Sequence, residues 1–204
     1  NNHLEAIIVR SASAELSYWG GGSAGIITDG VVTNVRTNPS TNVDYVEITK
    51  GTTVKEYEVR GLARDFVGTL VKTGDEVKVI VDGNYLVGFS YIKLANNASV
   101  PTVTVPTAWA GFVLDGNNKT ITNTGIFTVD ADNATIKNVT FTGDVTVSSR
   151  VANDFTANNV TVNGTTTIAG GSSNTVKLIE STLGTVVVTK PNVRVALTKT
   201  AINT

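Results

Sequence analysis

From Phe112 to Thr204 the apolar residues come in short groups, spaced two apart and broken by polar turns, and the same group recurs along the chain. Breaking the chain after glycines gives four copies: IFTVDADNATIKNVTFTG, DVTVSSRVANDFTANNVTVNG, TTTIAGGSSNTVKLIESTLG and TVVVTKPNVRVALTKTAINT. A shorter copy, FVLDGNNKTITNTG, precedes them. The closing glycines Gly125, Gly143, Gly164 and Gly184 set a period of roughly 20 residues, in the range of stacked repeat architectures.

Within a copy, Phe127 and Val129, then Ala134 and Ile136, share one face of a period-2 strand. Val139 comes three residues after Ile136, so one flat strand cannot keep both inside. A strand, a bend at Asn138 and a second strand can, and Asn tolerates the left-handed backbone such a bend needs. The next copy repeats the bend with Ala157, Asn159 and Val160, whereas Glu180 and Lys199 occupy it later. Stacking the copies predicts inward columns Val129, Val147, Ile168, Val188 and Phe141, Val162, Leu183, Ile202. Ala134 with Ile136 answers Phe155 with Ala157 in volume, as a filled interior requires. The outward positions are Thr, Asn, Lys and Ser. The economical reading is a parallel β-helix, whose five coils would make a stack of about 24 Å.

The part before it reads differently. Residues 1–25 form an arm, in which HLEAIIVRSASAEL carries a strand-like run and SYWGGGSAG a glycine-rich hinge. Residues 26–94 alternate apolar and polar through GVVTNVR, DYVEIT, TVKEYEV, DEVKVIV and YLVGFSYI, with turns at Lys50-Gly51, Gly74-Asp75 and Asp82-Gly83. That predicts a meander closing into a small barrel. ANNASVPTVTVP, residues 95–106, reads as an extended link bracketed by Pro101 and Pro106, and Trp109 is placed to cover the first coil. The fold class expected is therefore all-β: a small N-terminal β-barrel followed by a short right-handed parallel β-helix over 107–204.

FVLDGNNKTI, ADNATIKNVTFTGDVTV and GGSSNTVKLIESTLGTVVV resemble coils of the pectate-lyase-like superfamily of right-handed β-helix proteins, most of all those exported by Gram-positive bacteria beside S-layer homology domains. VKTGDEVKVIVDGNYLVGFSYI resembles small β-domains of S-layer and other Gram-positive surface proteins, and unrelated OB-like barrels share its turn chemistry. The β-helix likeness covers about half the chain. It implies a fold, and with it an extracellular, cell-surface setting, but the scaffold carries lyases, adhesins and inert surface proteins alike.

Composition narrows the chemistry. With 16 basic and 17 acidic residues among 204, nothing marks a polyanion partner such as nucleic acid. No run is long and apolar enough to span a bilayer, no signal peptide is visible, and the chain starts at Asn1, as a processed or excised piece would. Cysteine and methionine are absent, which removes thiol chemistry, and the only histidine, His3, is read as an ordinary terminal residue. Asp130, Asp132 and Asp144 are the candidate calcium ligands, set against the ordinary preference of Asp and Asn for turns. No other cofactor is implied. A uronan lyase would need a gathered set of bases, but Lys137, Lys177, Arg150 and Arg194 fall in different coils, and Glu180 and Lys199 would stack as an ion pair. The sequons at Asn133, Asn138 and Asn159 follow from a Thr- and Asn-rich repeat.

The function expected is a non-enzymatic extracellular structural protein that self-assembles, as an S-layer, sheath or filament subunit. Its partners would be copies of itself and cell-wall or environmental polysaccharide. A β-helix exposes unpaired strands at its ends, and no amphipathic cap follows Ile202. The residues assigned to assembly are Leu4, Ile7, Ile8 and Val9 of the arm, with Ile202 at the open end. The alternative is a carbohydrate-binding adhesin using Thr and Asn ladders or stacking sugars on Tyr18 and Trp19.

Overall fold

A computed structural model describes residues 26–172 and 175–203. His3, Leu4, Ile7, Ile8, Val9, Tyr18 and Trp19 lie outside the described residues.

Five strands form the N-terminal barrel: β1 (Ile26–Asn38), β2 (Val43–Lys50), β3 (Thr53–Val59), β4 (Glu76–Asp82) and β5 (Tyr85–Lys93). Their order is β3-β2-β1-β4-β5, and β3 closes the sheet by pairing parallel with β5, Glu58 beside Tyr85 and Val59 beside Leu86. The long β1 serves both β2 and β4, and a bulge between Val32 and Asn34 supplies the bend that closure requires. A short 3₁₀ turn, Gly61–Asp65, lies between β3 and β4. The closed barrel expected from the alternation is present, but its strands are not a meander: β4 returns to pair with β1 instead of β3, which is the strand order of an OB-type barrel.

The solenoid grows directly from the barrel's last strand. β5 is antiparallel to β4 on one side and parallel to β8 (Val113–Asn123) on the other, Tyr91 beside Val113 and Lys93 beside Asp115. Residues 95–106 are not a free link. Ala98–Val100 (β6) and Val103–Val105 (β7) pair parallel with β8 and with β9 (Phe127–Val129), and Ala98, Val100, Val103 and Val105 are buried. Pro101, read as a linker residue, sits at the corner between two strands of the first coil, where no ladder N–H is lost.

The later coils are β10 (Ala134–Phe141) with β11 (Val145–Val147), the continuous β12 (Phe155–Ile168), β13 (Val176–Ile179) with β14 (Thr182–Val188), and β15 (Val195–Thr198) with β16 (Ala201–Ile202). All pair in parallel, and the expected columns hold: Val129 lies beside Val147, Val147 beside Ile168, Ile168 beside Val188, and Phe141 beside Val162, Val162 beside Leu183, Leu183 beside Ile202. Ala134 faces Phe155 and Ile136 faces Ala157. Asn138 and Asn159 take the left-handed bend, both at φ 54°. Glu180 and Lys199 take it too, at φ 50°, at a cost of about 1–2 kcal/mol for a side chain without the local hydrogen bonding of Asn.

An aromatic cluster joins the two parts. Trp109 is buried, its ring 4.6 Å from Phe66, 5.6 Å from Phe89 and 5.8 Å from Phe112. Phe66 and Phe89 belong to the barrel and Phe112 leads into the first full coil, so one apolar core runs through both. A Cβ on Gly88 would sit 2.5 Å from Trp109 Nε1, so the indole packs this closely against β5 only because that position has no side chain.

Candidate functional site

Two surfaces stand out, one at each end of the molecule. The first is the last coil. Among the described residues β15 pairs only with β13, β16 only with β14, and the Thr185–Val188 stretch of β14 only with β12. The inward columns therefore end in the open: Val188 is 50% exposed, Leu197 51% and Ile202 39%, whereas their column neighbours Ile168, Leu178 and Leu183 are buried. Ile202, assigned to assembly from the sequence, belongs to this patch, and Val188 and Leu197 join it. At the opposite end the coil interior is closed by the barrel and Trp109.

The second surface is the outer face of β1, β2, β3 and β5. Arg36, Tyr45, Glu58 and Tyr85 are successive neighbours across four strands. The Arg36 guanidinium lies 4.3 Å from the Tyr45 ring centre and reaches Glu56, its Nε donating at 3.0 Å and Nη2 at 2.9 Å. The Arg60 guanidinium lies 3.4 Å from the Tyr85 ring centre, and its Nε donates to Glu58 at 2.7 Å. Aromatic and basic groups thus interleave across strands, a pattern invisible along the chain because Arg36, Tyr45, Arg60 and Tyr85 are far apart in sequence.

The calcium candidates do not converge. Asp130 accepts a 2.5 Å hydrogen bond from the Ser148 hydroxyl and lies 3.6 Å from Arg150 Nε. Asp132 accepts from the Ala152 and Asn153 backbone N–H groups at 2.6 and 2.9 Å and from the Asn153 amide at 3.0 Å. Asp144 accepts from the Thr165 N–H at 2.7 Å. Each carboxylate reaches the coil that follows, so these residues tie coil to coil. Among the described residues no group of three or more His, Cys, Asp or Glu is placed to hold a metal.

The bases also stay apart. Lys137 pairs with Asp115 at 3.2 Å, Lys177 with Asp154 at 3.1 Å, and Lys199 with Glu180 at 3.5 Å; the last pair is exposed and of little energetic weight. Asp115 is pushed upward by burial, but the Asn117 N–H, the Asn138 amide and the Lys137 ammonium outweigh that and hold its carboxyl below the usual range. Asn159 donates to Asn138, and Asn138 to Asp115, both at 3.1 Å, which occupies two of the sequon side chains in a ladder. Asp75 is almost fully buried, and burial raises its pKa against the backbone N–H bonds from Ala95 and Lys72. The 2.8 Å bond from Lys72 closes the barrel's own turn, and the 2.7 Å bond from Ala95 fastens the barrel to the start of the solenoid.

No helix among the described residues is long and apolar enough to cross a membrane. The chain matches no protein-family model, no curated protein and no solved structure. What fold and surfaces define is an all-β chain of a five-stranded barrel and a β-solenoid of about five turns.

Proposed function

We propose that the chain is a non-enzymatic extracellular structural protein that assembles with copies of itself, as an S-layer, sheath or filament subunit does. The observation that carries this reading is the last coil, where Val188, Leu197 and Ile202 are exposed beside three strand edges that, among the described residues, are paired on one side only. Such an edge is satisfied by an added strand. The other end of the solenoid is covered by the barrel, so the two ends are unlike, and a contact joining unlike surfaces propagates unless it closes into a ring. The likeness of the coils to β-helix surface proteins of Gram-positive bacteria supports the extracellular setting.

The arm of a neighbouring subunit, with Leu4, Ile7, Ile8 and Val9, is the proposed donor. Its Ile-Ile-Val run matches the apolar triplet Val186–Val188 that it would extend. Deleting residues 1–17 tests this: the expected product is a folded monomer with an unchanged melting curve that no longer associates. A truncated chain that melts lower and still associates would mean that the arm covers its own subunit instead.

A further inference from the structure

We infer that the outer face of β1, β2, β3 and β5 is a binding site for a neutral, hydroxyl-rich polysaccharide. This surface lies on the barrel, away from the open coil, and goes beyond assembly: it would tie the assembled protein to a glycan.

The argument starts from what the face offers. Tyr45 and Tyr85 are half-buried on the sheet with β3 between them, which puts their backbone positions two strand spacings apart, about 9.6 Å. A chain running across the strands meets both. Each ring carries a stacked guanidinium, and each guanidinium is held by a glutamate, Arg36 by Glu56 and Arg60 by Glu58. The result is two stacked units of the same composition, each with a weakly hydrated guanidinium plane over a ring, N–H donors and carboxylate acceptors at its rim. A sugar ring presents the complement, with C–H groups on its faces and hydroxyls that both donate and accept at its edge.

Charge decides between polymer classes. Arg36 and Arg60 contribute two positive charges and Glu56 and Glu58 two negative, which cancel, and Glu47 next to Glu56 adds a further negative one. Single-stranded nucleic acid, the other polymer bound on this face of OB-type barrels, needs a basic track for its phosphates. A polyuronate needs the same for its carboxylates. Three glutamates among the rings disfavour both and leave a neutral polymer as the ligand that fits.

The test is saturable binding of the full chain to microcrystalline cellulose, chitin and xylan, with polygalacturonate and single-stranded oligothymidylate as charged probes. The expected result is retention on at least one neutral glycan and on neither charged probe. Tyr45→Ala and Tyr85→Ala should each weaken that retention about tenfold with an unchanged far-ultraviolet spectrum and association state at the assay temperature. Thr128→Val with Thr146→Val, on the solenoid, should leave retention unchanged. Failure to bind any of the three neutral glycans would overturn the inference. So would binding unaffected by both tyrosine substitutions, binding lost with the solenoid threonines, or preferential binding of a charged probe. Because self-association is measured on the same samples, loss of glycan binding and loss of assembly are separable.

Discussion

Asp130, Asp132 and Asp144 show how far residue types alone can be pushed. As oxygen donors near turns they satisfy the chemistry of a calcium ligand, but their partners are backbone and side-chain donors one coil later, at sequence separations of 18 to 21. The left-handed bends at Asn138 and Asn159 were legible because a break in alternation and a residue suited to αL coincide there. The carboxylate partners were not, because nothing in a single copy says which group of the next copy lies above it. Thr166 is a different case: its register neighbours are Val145 and Val186, and its hydroxyl is buried without a hydrogen-bond partner. Thr166→Val removes that unsatisfied group at nearly constant shape, so it should stabilise the protein by about 1 kcal/mol and raise the melting temperature by roughly 2–4 °C. A lower melting temperature would show that the hydroxyl has a partner in solution.

At the scale of elements, the closing glycines turn out to be spacing devices. A Cβ on Gly143 would lie 2.4 Å from the Asn123 carbonyl oxygen, and one on Gly184 would lie 2.7 Å from that of Gly164. These turns stack backbone on backbone, and a methyl group would have to wedge neighbouring coils apart. Gly143→Ala is therefore expected to cost about 1–3 kcal/mol, read as a drop in melting temperature, although alanine usually suits a strand better than glycine. No change would mean that the coils sit less tightly than described. The repeat period and inward columns could be read from the sequence because each coil repeats the same constraint. Strands β6 and β7 escaped because their copy is short and broken by Pro101, so its alternating Ala98, Val100, Val103 and Val105 passed for an extended link. The barrel face escaped for a related reason: strand register brings Arg36, Tyr45 and Glu58 together, and Tyr85 joins them only once β3 closes on β5.

At the scale of the molecule, the barrel and aromatic cluster close one end of the solenoid core, and among the described residues nothing covers the other, where Val188, Leu197 and Ile202 are exposed. Covering the exposed column ends removes apolar surface from water at roughly 25 cal/mol per Å², and an added strand would satisfy the edge beside them. Both gains vanish if the patch is made charged, because a docked strand would then bury lysine without a partner. The decisive measurement is the mass distribution by light scattering, across a range of concentrations, of the full chain and of Leu197→Lys with Ile202→Lys. The account predicts that the unmodified chain forms species larger than a monomer that grow with concentration, and that the double variant stays monomeric with an unchanged far-ultraviolet spectrum. An unmodified chain that remains monomeric throughout, or a folded double variant that associates as strongly, would contradict it.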